Sequence, residues 1–125
     1  MKTTSGARIL LVEDTEDNRQ IMRDLLGATS FELLEAHDGK QGVAIATSAV
    51  PDLILMDIQL PEMNGYEAIR LIKANPLTSH IPIIVVTSYA LSGDEDEAIA
   101  AGCDAYIPKP FSPRMLLALI HEFLP

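Results

Sequence analysis

The sequence predicts an α/β protein, a doubly wound parallel sheet of five strands flanked by five helices. Three observations carry this. The runs ILLV at 9–12, LILM at 53–56 and IPIIVV at 81–86 are continuously apolar rather than alternating, as in parallel strands covered on both faces. Segments of helical periodicity separate them, so strand and helix alternate along the chain. Capping and turn residues such as Asp38, Asn64, Gly102 and Ser112 stand at the junctions.

Each element follows in order. Residues 1–7 are expected to form a flexible lead-in and residues 8–125 the folded domain. Arg8 to Val12 is a buried strand ending in Glu13-Asp14. Residues 15–28 carry Ile21, Met22, Leu25 and Leu26 at helical spacing, with Gly27 near the stop. Residues 31–36 alternate poorly and suit a sheet edge. Asp38, followed three residues later by Gln41, is a capping pattern for a helix reaching about Ala49.

Pro51-Asp52 introduces the strand that ends in Asp57. Asn64 and Glu67 repeat the cap, and Ile69, Leu71 and Ile72 form the buried stripe of a helix that stops near Asn75-Pro76. Residues 81–86 form a strand ending in Thr87-Ser88. Residues 92–95 are a capping box for a helix through Ala101, terminated by Gly102. Residues 105–108 form the last strand, closed by Lys109-Pro110. Ser112-Pro113, a cap residue with proline behind it, opens a final helix with Met115, Leu116, Leu119, Ile120 and Phe123 facing inward.

Composition narrows the function. A chain of 125 residues is expected to be one domain. Nine Lys and Arg against 18 Asp and Glu give a net charge of −9, which repels nucleic acid and anionic lipid, so neither is expected as a direct partner. The single cysteine, Cys103, precludes an internal disulfide, fits a reducing compartment and is expected as a small buried hydrophobe. No apolar run approaches the roughly 18 residues of a membrane span, and the N-terminal residues hold no signal-peptide core. A cytoplasmic location is therefore expected. His37, His80 and His121 lack metal-ligand spacing and are expected at the surface, whereas Met22, Met56 and Met115 read as core filling.

Right-handed crossovers put the carboxyl ends of all the strands on one rim, and ligand crevices of open parallel sheets lie there. On that rim stand Glu13-Asp14, Asp57, Thr87-Ser88 and Lys109. Three converging carboxylates repel one another unless protons or a cation compensate. Mg²⁺ is a suitable cation, since it binds few protein carboxylates and keeps positions for water and phosphate oxygens. Lys109 offers a point charge for phosphate and Thr87 a hydroxyl donor. Together these groups describe phosphoryl transfer to a carboxylate. Asp57, behind the most apolar strand, is the expected acceptor, and the acidic pair is better placed for the metal.

These residues resemble the receiver domain of two-component response regulators. The matching pieces are LLVED, LILMDIQLPEMNGYE, IIVVTS and DAYIPKPF, in the family's order, and the resemblance spans residues 9–124. It implies a flavodoxin-like receiver fold of strand order 2-1-3-4-5, similar to the chemotaxis regulators, and a switch in a phosphorelay. By this resemblance Asp57 is phosphorylated by a sensor histidine kinase or a histidine phosphotransfer protein. Asp14 is the direct Mg²⁺ ligand, Glu13 acts through metal-bound water, and the backbone carbonyl of Gln59 completes the site, where Mn²⁺ can substitute. Thr87 is the switch hydroxyl, with Ser88 beside it; Lys109 binds the phosphoryl group, Tyr106 is the aromatic that moves on activation, and Lys109-Pro110 is a cis peptide.

The resemblance further implies an output protein bound at the face of the fourth helix, the last strand and the last helix, roughly residues 91–101, Tyr106 and residues 113–123. It implies no enzyme in the ordinary sense, since the chain would catalyse only its own Mg²⁺-dependent phosphorylation and dephosphorylation. Asp17-Asn18-Arg19 and Gly93-Asp94-Glu95 resemble stand-alone cell-cycle receivers and the receivers of hybrid kinases. Two departures are Glu13, where Asp is commoner, and Ser88, where Ala is frequent.

Two other classes compete. A Mg²⁺-dependent phosphohydrolase with an aspartyl intermediate would need a second acid two residues after the nucleophile, where Gln59 stands. A flavin-binding domain would need a phosphate-cradling loop after the first strand, where Glu13-Asp14 would repel phosphate.

Overall fold

The computed structural model describes residues 6–58, 60, 63–87 and 94–124, with the side chains of Thr87, Asp94 and Glu95 outside the description. Strands and helices alternate as β1 (Arg8–Val12), α1 (Glu16–Gly27), β2 (Glu32–Ala36), α2 (Gly39–Ala49), β3 (Leu53–Met56), α3 (Gly65–Ala74), β4 (Ile83–Thr87), α4 (Asp94–Ala101), β5 (Ala105–Pro108) and α5 (Pro113–Phe123). The sheet order is β2-β1-β3-β4-β5, every pair parallel, with Leu10 opposite Ile54, Ile54 opposite Ile83 and Val85 opposite Tyr106. β2 is the edge strand expected of residues 31–36.

The unbroken apolar run of β3 has a direct cause. Leu53, Ile54, Leu55 and Met56 are all 0% exposed, because β3 is central and each face carries its own core. Ile54 and Met56 pack with Ile69 and Ile72 of α3, whereas Leu53 and Leu55 pack with Met22 and Leu26 of α1 and Leu116 and Ile120 of α5. Successive strand side chains point to opposite faces, so a sheet covered twice leaves no position for a polar residue.

The helix starts obey capping chemistry. Asp38 accepts from the Gln41 N–H at 2.7 Å, and the Gln41 side chain accepts from the His37 N–H at 2.6 Å, one residue further back than an ordinary capping box reaches. Asn64 caps α3 through the Glu67 N–H and Ser112 caps α5 through the Met115 N–H. Gly102 ends α4 at φ +116, a left-handed backbone that glycine adopts without a Cβ penalty.

Several expectations need correction. Ile21, Leu71 and Met115 are exposed, at 58%, 46% and 60%, while their neighbours Met22, Ile72 and Leu116 take the inward positions. Each helix packs on the sheet through one stripe, and the second member of an adjacent apolar pair falls outside it. Leu119 and Phe123 are partly buried against the α1–α5 core. β4 begins at Ile83 rather than Ile81, because the Ile81 N–H turns back to Thr78 O and Pro82 has no N–H to give. Cys103 is half-buried rather than buried. Ala7 is 2% exposed and the Gly6 N–H bonds Ser30 O, so the packed chain already includes part of the expected lead-in. Residues 1–5, and the Ser92-Gly93 start of the α4 capping box, lie outside the described residues. His37, His80 and His121 are exposed as expected. Among the described residues no helix is long and apolar enough to cross a membrane.

Candidate functional site

β1 and β3 lie side by side, and the Asp57 N–H continues their ladder to Val12 O at 3.0 Å. The two strands therefore release their acids at the same height on the rim. Glu13 and Asp57 are 3% and 8% exposed, while Asp14 faces solvent. One carboxylate oxygen from each of the three lies within 4.8 Å of the others. Lys109, one residue past β5, reaches across with Nζ 2.9 Å from Glu13 Oε1 and 3.4 Å from Asp57 Oδ2. The Thr15 N–H donates to Glu13 Oε2 at 3.1 Å, and the Thr15 hydroxyl to Asp14 Oδ1 at 3.4 Å.

Lys109 explains how buried carboxylates coexist. Burial pushes the Glu13 carboxyl up, but hydrogen bonds with Asp57, Lys109 and the Thr15 N–H, together with the Lys109 charge, outweigh it and bring the group to about 2. Burial pulls the Lys109 ammonium down, yet its hydrogen bond to Glu13 and the charges of Asp57 and Glu13 outweigh this and raise it. Glu13 and Lys109 are thus both ionised near neutrality. One ammonium among three acids still leaves negative charge to be balanced. The donor set is wholly oxygen, the hard set that Mg²⁺ or Mn²⁺ selects, and exposed Asp14 leaves one side open to water.

The remaining expected residues fall as follows. Thr87 ends β4 on the same rim. Tyr106 is half-buried on β5 and packs against the α3-side core. The Lys109–Pro110 peptide bond is cis. Gln59 and Ser88 lie outside the described residues.

The contacts of two residues escaped the sequence reading. A Cβ on Gly65 would lie 2.3 Å from Asp57 O and 2.8 Å from Ile58 Cα, so the start of α3 presses directly on the backbone that carries the acid. The Asn64-Gly65 pair was legible as a cap and not as a close approach. Arg19, on the inner face of α1, is 7% exposed and donates from Nη1 to the Glu13 carbonyl at 2.8 Å. Beside the site, a cleft of about 430 Å³ runs from the Glu13–Lys109 pair along Ile21, Met22 and Leu25 to Phe111.

A doubly wound parallel sheet with three carboxylates and a lysine at the carboxyl ends of its strands places a charged ligand crevice where α/β domains of this kind carry one. A model of the response regulator receiver domain matches residues 9–121. The polar-differentiation response regulator DivK of Brucella anthropi is 40% identical over 116 residues, covering 93% of this chain and 94% of that protein. DivK of Brucella ovis matches to the same extent, 40% over 116 residues. Among solved structures, the receiver domain of a Pseudomonas aeruginosa sensor histidine kinase, crystallised with a magnesium ion coordinated in its active-site cleft, superposes with a TM-score of 0.89 at 35% identity, covering 95% of this chain and 98% of that one. The chemotaxis protein CheY4 of Vibrio cholerae gives 0.88 at 28% identity, covering 95% and 99%. The chain belongs to the response regulator receiver domain family.

Proposed function

We propose that this receiver is a phosphorylation-dependent switch of a two-component or phosphorelay system, with Asp57 as phosphoacceptor. The observation that carries the reading is Lys109 bridging Glu13 and Asp57 at the carboxyl end of the central strand, at 2.9 and 3.4 Å. Glu13, Asp14, Asp57 and the backbone carbonyl of Gln59 would hold Mg²⁺, or Mn²⁺ in its place, and the bound ion supplies positive charge against the phosphoryl oxygens.

The chain's own groups do the rest. An Asp57 carboxylate oxygen attacks phosphorus in line, the P–N bond to the donor histidine breaks with its electron pair returning to the imidazole, and an acyl phosphate forms. Lys109 transfers its contact from Asp57 to a phosphoryl oxygen while keeping Glu13, so it need not be desolvated again. The new group adds about −1.5 to −2 charge and strong acceptor oxygens. The Thr87 hydroxyl, with Ser88 next to it, donates to one of them, and half-buried Tyr106 turns inward, biasing a two-state equilibrium.

On this reading the partners are a sensor histidine kinase or histidine phosphotransfer protein on the donor side and an output protein on the α4–β5–α5 face. The site is cytoplasmic, and the chain turns over no substrate beyond its own phosphoryl group. The test is intact mass after incubation with acetyl phosphate and Mg²⁺. Wild type gains one phosphoryl group, and EDTA or Asp57→Asn abolishes the gain. A gain retained by Asp57→Asn overturns the assignment.

A further inference from the structure

Arg19 is buried on α1 beside Met22 and Leu26, a costly place for a guanidinium. Packing alone would be served by methionine or leucine. Its contacts are not those of a tight ion pair. Glu35 and Glu16 lie at 3.5 Å, the outer limit, and Glu35 is better held by Arg23 at 2.7 Å. Buried Nε has no hydrogen-bond partner among the described residues. The short bond, 2.8 Å, goes to a neutral acceptor, the carbonyl of Glu13.

That carbonyl belongs to the peptide joining Glu13 to Asp14. On its other side Glu13 is tied by its N–H to Ala36 O of β2 at 3.0 Å. Arg19 and β2 together therefore fix both peptide planes around Glu13, and the orientation of the second plane sets where the Asp14 side chain departs. We propose that Arg19 is a positioning residue for divalent-cation binding, holding the Glu13–Asp14 peptide so that both carboxylates meet Asp57. The inference rests on the reading that these three acids bind Mg²⁺.

Position and charge predict opposite signs. A guanidinium acting only through its field opposes a cation, so its removal would tighten binding; a guanidinium that aims the ligands weakens binding when removed. The experiment is calorimetric titration of the full chain with Mg²⁺, alongside metal-free thermal unfolding, for wild type, Arg19→Met, Arg19→Lys and Asp14→Asn. The expected result for Arg19→Met is affinity about 10-fold weaker, the scale at which groups orienting metal ligands act. Its metal-free melting temperature should fall, because the Glu13 carbonyl loses its donor, while the protein stays folded across the titration. Phosphorylation from acetyl phosphate should recover at high Mg²⁺, and Arg19→Lys, which keeps one donor, should lie between. Wild-type or tighter affinity in Arg19→Met overturns the inference whatever its melting temperature. If Arg19→Met does not fold, Arg19→Lys decides: about 3-fold weaker binding supports the inference and unchanged binding overturns it. No Mg²⁺ binding by wild type, or full binding by Asp14→Asn, would instead sink the metal reading itself, and this inference with it.

Discussion

Gly65→Ala would place a methyl group 2.3 Å from the Asp57 carbonyl oxygen, 2.8 Å from Ile58 Cα and 2.9 Å from Ile58 Cδ1. Two of these three atoms are backbone, so no rotamer change relieves the overlap. Either the first turn of α3 lifts or the end of β3 shifts, by about 1 Å to restore van der Waals separation. Overpacking of this kind costs about 1–3 kcal/mol. Alanine's better helix propensity returns less than about 1 kcal/mol. A net loss of about 2 kcal/mol lowers the melting temperature of a domain this size by roughly 6–8 °C. Gly27→Ala is the control: nothing lies within 4 Å of its Cβ, and the substitution should stabilise by about 0.5–1 kcal/mol. Thermal and urea unfolding followed by far-ultraviolet circular dichroism measures both. Phosphorylation from acetyl phosphate should also slow in Gly65→Ala, because the displaced carbonyl is that of Asp57, the proposed acceptor. A Gly65→Ala protein as stable as wild type, with Gly27→Ala behaving as expected, would refute the claim that α3 abuts the Asp57 backbone.

Three further outcomes follow from the site and its surroundings. Lys109→Met strips the ammonium from two carboxylates that are 3% and 8% exposed, and should lower the unfolding free energy in EDTA by about 1–3 kcal/mol, with Mg²⁺ restoring more of it than Mg²⁺ adds to wild type. Urea midpoints with and without Mg²⁺ read this directly. Because the Glu13 carboxyl is depressed from 4.5 to about 2, the unfolded chain binds the proton more tightly. Its contribution is therefore complete above pH 4.5 and lost as pH falls toward 2. Metal-free urea midpoints should accordingly fall more steeply across that window in wild type than in Glu13→Gln, and parallel slopes would contradict the ionised Glu13–Lys109 pair. Val50 caps α2 at φ 44, a left-handed conformation unfavourable to a β-branched residue, so Val50→Asn should raise stability by about 1 kcal/mol, read as a melting temperature some 3 °C higher.

The sheet was legible because its signal is local. Apolar runs such as Leu53–Met56 need no partner to be recognised, and parallel topology then fixes which ends share a rim. Glu13, Asp14, Asp57 and Lys109 could be brought together on that basis alone. Helix orientation was less legible, since Ile21 and Met22, Leu71 and Ile72, and Met115 and Leu116 are adjacent apolar pairs straddling the edge of a face, and only the angle at which each helix meets the sheet decides between them. Lys109 was read as a group awaiting phosphate; in the structure it already neutralises Glu13 and Asp57, a pairing across 96 and 52 residues that no local pattern encodes. Arg19 stood out only as part of Asp17-Asn18-Arg19, and its bond left no signal, because it goes to a backbone carbonyl and every residue has one.

Where the phosphoryl group sits is the most direct test. The full chain is phosphorylated with acetyl phosphate and Mg²⁺, reduced with borohydride, which converts an aspartyl phosphate to homoserine and leaves free carboxylates intact, and then mapped by peptide mass spectrometry. Asp57 as acceptor predicts homoserine in its place alone, absent when EDTA replaces Mg²⁺. Reduction at Asp14 or Glu13, or at Asp57 to the same extent in EDTA, would contradict it.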